Sequence, residues 1–180
     1  LTEQYRMHKD IMAFSNRRFY DGLLKASPEA ADRRLQLETP GKFQTILDPK
    51  HPLVFVDVDS DLPSTRTNQA EAELIRELVD TLQTSSPETR VGVISPFRAQ
   101  VRLISSLLGH PHAGVDVDTV ERYQGSERDV IIVSLVKTER AGEFLSDPRR
   151  LNVTLTRART KLIILGKVSC LEFDPMFREL

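Results

Sequence analysis

Four arginines crowd one short stretch, DPRRLNVTLTRARTKLIILG at residues 147–166: Arg149, Arg150, Arg157 and Arg159, with no acid after Asp147 to neutralise them. A guanidinium carries a permanent charge and a planar fork of donors, which suits it to gripping a phosphate. The plainer alternative is a solvated basic face. A second candidate is Gln4-Tyr5-Arg6-Met7-His8 near the start of the chain. There a ring able to stack on a base stands beside a guanidinium able to reach a phosphate. In the turn at residues 121–129, Gly125 permits close approach of backbone to a ligand, and Glu127 can accept hydrogen bonds from a sugar hydroxyl. Ser95-Pro96 joins an apolar run to a helical pattern, where free N–H groups can meet an anion. Asp57, Asp59 and Asp61 alternate as in a strand running out into solvent, and no His or Glu completes a metal site around them.

The elements that must position these groups can be read from periodicity. In residues 147–166, Asp147 is a good N-cap and Pro148 suits the first helical position. Leu151, Leu155 and Ala158 then share one face, while Arg150, Thr154 and Arg157 share its neighbour. The helix feeds a continuous apolar strand, Leu162 to Leu165, of the kind covered on both sides. Residues 2–20 read as a helix with its leading loop, and Gly22 as its stop. Residues 21–52, with Pro28, Pro40, Pro49 and Pro52, read as a long surface excursion without recognisable chemistry. Residues 53–58 are a strand. A helix follows, opened by a capping box of Asn68 and Glu71 and buried along Leu74, Ile75, Leu78, Val79 and Leu82. Residues 91–94 form a strand, then a helix capped by Ser95 and stopped at Gly109. Two further strands, 115–120 and 130–136, flank the glycine turn, and a loop at 140–146 leads to the arginine helix. This alternation predicts a layered α/β domain with a mostly parallel sheet and helices on both faces.

Composition bounds the partners. A length of 180 residues is most simply one domain with a substantial core. Twenty-five basic against 26 acidic residues leave a net charge of −1, which excludes a basic carpet for nucleic acid but not a local patch. Cys170 stands alone, so neither a disulfide framework nor a Cys-rich zinc site is expected, and a reducing, intracellular compartment fits, cytoplasm or nucleus. No apolar run reaches membrane-spanning length, and no signal peptide is visible. Leu1 falls inside a patterned segment, which reads as a piece of a longer protein.

Four blocks in order resemble the second, C-terminal RecA-like domain of the superfamily 1 helicases. They are LTEQYRMH at 1–8 with FSNRRFYDG after it, ISPFRAQV at 94–101, VDTVERYQGSERDVIIVSLVKT at 117–138 and DPRRLNVTLTRAR at 147–159. The group includes the nonsense-mediated-decay RNA helicases. LTEQYRMHKDIMAFSN, the YQG turn and LIILGKVSCL are most similar to the flap-processing DNA nuclease-helicases. The resemblance implies a RecA-like, P-loop-NTPase-type α/β fold across residues 1–180. It implies that Tyr5 stacks on adenine, Arg6 reaches the γ-phosphate, Gly125 lies near the phosphates and Glu127 binds the ribose. Arg157 becomes the arginine finger, with Arg150 and Arg159 as supporting charges. Ser95 and Thr119 would touch the nucleic-acid backbone, and, with a net charge of −1 leaving only local donors, Arg98 is a further candidate for holding the strand. Phe97 stands where many members carry Tyr, and it has no hydroxyl with which to make any hydrogen bond from that position.

The residues add a limit to this. ATP hydrolysis needs a phosphate cradle, a lysine and a Mg²⁺-holding acid, yet no GxxxxGK[ST] occurs in the chain and no strand ends in Asp-Glu. An N-terminal RecA-like domain is therefore expected to hold ATP and most of the Mg²⁺ contacts, with this domain as the other wall of the cleft. Single-stranded nucleic acid is the expected second partner. The resemblance favours DNA and 5′-to-3′ movement. Two other classes compete: a non-catalytic RecA-like interaction module, opposed by Arg6, Glu127 and Arg157 all being present, and a nuclease, supported only by the three aspartates.

Overall fold

A computed structural model describes residues 2–38, 41–59, 66–109, 113–123, 126–136 and 147–172. In chain order it holds β1 (Glu3–Gln4), α1 (Lys9–Phe19), β2 (Lys25–Ala26), α2 (Pro28–Ala31), α3 (Gln44–Leu47), β3 (Leu53–Asp57), α4 (Gln69–Ser85), β4 (Val91–Ile94), α5 (Arg98–Leu108), β5 (Val115–Asp118), β6 (Arg128–Ser134), α6 (Pro148–Leu155), β7 (Ala158–Gly166) and α7 (Val168–Leu171). A five-stranded sheet in the order β3-β7-β6-β4-β5 carries the fold, and every pairing in it is parallel.

The central strands are apolar throughout because both faces are covered. Side chains alternate across a strand, so β6 and β7 each feed two cores. Ile131, Val133, Leu162 and Ile164 meet Ile11 and Phe14 of α1 and Leu151 and Leu155 of α6. Val130, Ile132, Ile163 and Leu165 meet Ile75, Leu78 and Leu82 of α4 and Ile104 of α5. This is the α/β arrangement expected, with helices on both faces.

The two strands flanking the glycine turn are not neighbours, because β4 lies between them. Their connection crosses the sheet through a 3₁₀ turn at Val120–Tyr123. Gly92 makes room for it: a Cβ there would sit 2.7 Å from Ile131 Cδ1 and 3.0 Å from the Tyr123 ring. The Tyr123 hydroxyl closes the crossover by donating to Asp116 O at 2.6 Å.

Residues 21–52 hold more structure than a surface excursion implies. Leu24, Ala30, Leu35, Phe43 and Leu47 are buried, and β2 pairs in parallel with β1. Buried Lys161 of β7 donates to Asp48 O at 2.9 Å and His51 O at 2.5 Å, tying down the end of the stretch. Burial pushes its ammonium down to about 8.

Two element boundaries differ from expectation. The arginine helix ends at Leu155, and β7 begins at Ala158, because Ala158 already pairs with Arg128. Arg157 therefore sits in the joint and Arg159 on a strand, so Arg150 and Arg157 do not share a helical face. Helix α5 begins at Arg98 rather than Pro96. Ser95 continues the strand line, its N–H donating to Asp118 O at 3.3 Å, and its Oγ accepts from Phe97 N–H at 3.4 Å, as in a Ser turn. No helix among the described residues is long and apolar enough to cross a membrane.

Candidate functional site

The parallel sheet has two ends, and the candidate residues divide between them. At the amino ends of β6 and β7 lies a cleft of about 510 Å³ lined by Tyr5, Arg6, Glu127, Arg157 and Arg159, among others. Tyr5 and Arg6 stand on the short link between β1 and α1. Gln4 shapes that link from below: its Oε1 accepts from Arg6 N–H at 2.8 Å and Met7 N–H at 2.7 Å, and its Nε2 donates to Met7 O at 2.8 Å. Buried Met7 anchors the link in the core, and His8 N–H donates to Arg159 O at 3.0 Å, fixing it against β7. Helix α1 starts immediately after, its N-cap His8 accepting from Asp10 N–H through Nδ1. Tyr5 is left 67% exposed, a ring presented to the cleft, with its hydroxyl donating to Glu3. The hydrogen bond and charge of Glu3 push the phenol above its ordinary pKa.

Arg6 crosses the cleft floor. Its Nε donates to Glu127 Oε2, and its Nη1 reaches Thr156 O at 3.3 Å. Arg159 adds a second charge 3.8 Å from Glu127 and also pairs with Asp129 at 3.4 Å. Burial pushes the Glu127 carboxyl up, but the hydrogen bond and charge of Arg6, with Arg159 and Arg33, outweigh it, so its pKa lies below the ordinary value.

Arg157 is half-buried and held differently. Its Nε donates to Val153 O at 2.9 Å, Nη2 to Thr156 Oγ1 at 3.2 Å, and Nη1 to Ser126 O at 3.4 Å. Among the described residues it makes no ion pair, and burial followed by the neighbouring Arg6 charge disfavours its protonated form. A guanidinium fixed by neutral oxygens, with both Arg6 and Glu127 acting on it, has the chemistry to meet an anion.

At the carboxyl ends of β4 and β5 lie Ser95, Arg98 and Thr119. Ser95 is fully buried with its hydroxyl turned to Phe97 N–H, Thr119 is 7% exposed, and Arg98 is exposed. Access there is mainly through Arg98 and the backbone at the start of α5.

Residues 1–169 match a family described as an AAA domain. The chain belongs to that family. It is 38% identical over 98% of its length to the DNA replication ATP-dependent helicase/nuclease DNA2 of Mus musculus, of which it covers 19%. It is 35% identical over its whole length to an uncharacterized ATP-dependent helicase of Methanocaldococcus jannaschii, covering 28% of that protein. The chain thus spans about a fifth to a quarter of the length of these relatives. The solved C-terminal domain of a possible DNA helicase from Lactobacillus superposes with a TM-score of 0.53 at 14% identity, covering 98% of this chain and 93% of that one, a likeness of fold. This AAA-family chain is a superfamily 1 helicase domain with a RecA-like α/β fold.

Within that domain, Tyr5, Arg6, Glu127, Arg157 and Arg159 come together in one cleft. Arg150 does not: it is exposed and pairs outside the cleft lining with Asp147 at 3.6 Å and Glu121 at 3.7 Å. The acids that balance the basic segment thus come from other elements as well as from Asp147. Gly125 lies outside the described residues, as do Asp61 and the loop at 140–146. Asp57 accepts from Val168 N–H at 2.9 Å, and Asp59 pairs with Lys167. Among the described residues no three His, Cys, Asp or Glu side chains gather as a metal site. Sequence reading showed no sign of Arg33 in the cleft wall, assigned Gln4 no role of its own, and assigned Glu71 only a capping role. Gln4 sits inside the quoted motif and was legible as its brace. Arg33 had no local signal, because its contacts lie 27 and 28 residues away.

Proposed function

We propose that this domain is the second motor domain of an ATP-dependent nucleic-acid helicase or translocase, acting on single-stranded DNA. It supplies the closing wall of a composite ATP site whose phosphate cradle and Mg²⁺-holding acid belong to an N-terminal RecA-like domain of the same protein. Tyr5 stacks on the adenine, Glu127 accepts from the ribose hydroxyls, and Arg6 and Arg157 meet the γ-phosphate, with Arg157 as the arginine finger. One observation carries this reading. Arg157 is fixed by three neutral oxygens, makes no ion pair among the described residues, and opens into the cleft that also holds Arg6 and Glu127. Such a group costs little to organise when a phosphoryl group arrives. The opposite edge of the sheet, at Arg98 and Thr119, then grips the strand. Opening and closing of the two domains alternates the grip with nucleotide state.

The test is single-strand-stimulated ATP turnover of the full-length protein beside Arg157→Ala. The finger acts mainly in the transition state, so turnover is expected to fall by about 10³ to 10⁵ while KM for ATP changes little. Unchanged turnover would remove Arg157 from the reaction and the cleft assignment with it.

A further inference from the structure

The stretch at residues 21–52 reads from sequence as an excursion, yet it reaches the cleft through Leu24 and Arg33. We infer that Arg33 is a positioning residue that holds the Tyr5–Arg6 link in the geometry that nucleotide binding requires. This rests on the nucleotide reading of the cleft given above.

The link needs such a brace. Tyr5 and Arg6 lie between a two-residue strand and α1, and Tyr5 is largely exposed. Gln4 occupies two N–H groups of the link and the carbonyl of Met7. Its two remaining carbonyls, on Tyr5 and Arg6, are met by Arg33. Arg33 Nη1 donates to Arg6 O at 2.9 Å and reaches Tyr5 O at 3.4 Å. A charged donor on a carbonyl is a strong form of hydrogen bond.

Arg33 is itself held in place. It follows α2, whose first turn is capped by Ser27, and Ser27 N–H donates to Gln4 O at 2.9 Å. Its own N–H donates to Ala30 O at 3.3 Å, and it lies between fully buried Ala30 and buried Leu35. The β1–β2 pairing and α2 therefore form a small platform whose outward product is one guanidinium laid on the Tyr5–Arg6 backbone. Among the described residues its side-chain hydrogen bonds go to backbone carbonyls, while its charge also acts on Glu127 across the cleft without a close ion pair.

Arg33 acts through backbone carbonyls and not on the nucleotide, which makes the inference testable by coupling. KM and kcat for ATP, and the Kd of a single-stranded oligonucleotide, are measured on the full-length protein. The variants are R33A, R33K, the pair Y5A/R6A, the triple variant, and R157A. R33A is expected to raise KM for ATP about tenfold, with kcat within threefold and oligonucleotide Kd within twofold of wild type. R33K keeps the charge but lacks the planar fork, so it is expected to fall between. In the Y5A/R6A background, R33A is expected to add less than twofold, because the groups it positions are gone. A full tenfold effect in that background would make Arg33 a direct nucleotide contact and overturn the inference. A wild-type KM in R33A would also overturn it, and if R157A has meanwhile collapsed, the cleft reading stands. Silence of all the variants would remove both. Thermal midpoints are measured alongside. Should R33A melt early, R33K decides: a raised KM at unchanged midpoint supports the role, and a wild-type KM ends it.

Discussion

Arg6 and Glu127, proposed to meet different parts of ATP, pair with one another across the cleft floor. On that proposal nucleotide arrival is an exchange: Glu127 trades the Arg6 guanidinium for ribose hydroxyls while still facing Arg159, and Arg6 trades a carboxylate for phosphate. The pair's contribution to stability follows from the direction of the Glu127 shift. Its folded pKa lies below its ordinary value, because burial, which raises it, is outweighed by the hydrogen bond and charge of Arg6 together with the charges of Arg159 and Arg33. Such a carboxylate stabilises the fold above the unfolded pKa and loses that contribution as pH falls through the folded one. The urea midpoint of wild type should therefore exceed that of Glu127→Gln at pH 7, and the gap should close below about pH 4. With the Glu127 side chain 42% exposed, the gap should stay under about 1 kcal/mol. A gap that does not narrow as pH falls below the ordinary glutamate range would mean that packing, not charge, separates the two proteins.

Elements are joined at the carboxyl edge of the sheet by a buried carboxylate. Glu71, in the first turn of α4, is fully buried. Its oxygens accept from Ser134 Oγ–H at 2.6 Å, Val136 N–H at 3.1 Å and Asn68 Nδ2–H at 3.2 Å. Val136 adopts φ +70°, a strained conformation for a β-branched residue, at the point where its N–H meets this carboxylate. Gln100 of α5 completes the network, accepting from Asn68 N–H at 2.8 Å and donating to Ser134 Oγ at 3.1 Å. Burial raises Glu71 to about 7 despite those hydrogen bonds. A carboxyl with a raised folded pKa contributes stability that is fully present below its unfolded pKa and lost as pH rises through the folded one. Wild type should thus lose on the order of 3 kcal/mol between about pH 4.5 and 7.5 at this group. Glu71→Gln, which stays neutral, should flatten that slope in urea melts, and an unchanged slope would place the titration elsewhere. The capping box shows how far sequence could see. Asn68 Oδ1 does cap Glu71 N–H at 3.1 Å, as the Asn-x-x-Glu spacing says. The reciprocal arm is missing, because Gln100, 32 residues away, takes Asn68 N–H and frees Glu71 for β6. Periodicity made the sheet and its buried faces legible, since these depend on neighbours in the chain, whereas the grouping of Tyr5, Arg6, Glu127 and Arg157 spans up to 121 residues between paired members and came only from the family resemblance of their motifs. The Glu121 pairing of Arg150, the start of α5 and the anchoring of residues 21–52 depend on long-range contacts, to which local pattern is blind.

On the scale of the molecule, the domain places its proposed nucleotide groups at one end of a parallel sheet and its proposed strand contacts at the other, with β6 and β7 spanning the distance. The chain contains no phosphate-cradling motif, so the purified domain is expected to show no measurable ATP turnover, and robust turnover surviving controls for contaminants would end the split-site account. Its hold on a strand should be equally partial. The net charge is −1, and at the carboxyl edge Ser95 and Thr119 are buried while Arg98 is open. With two or three phosphates neutralised, affinity for a single-stranded oligonucleotide should drop only on the order of tenfold between about 50 and 200 mM salt, against 10³ or more for an extensive basic surface. Fluorescence anisotropy across that salt range measures the slope. A shallow slope with weak affinity fits a domain that grips DNA only together with its partner domain. A steep slope, or tight binding to blunt duplex, would mean that the domain carries a complete binding surface of its own, and the strand path would then have to leave the Ser95–Arg98 turn.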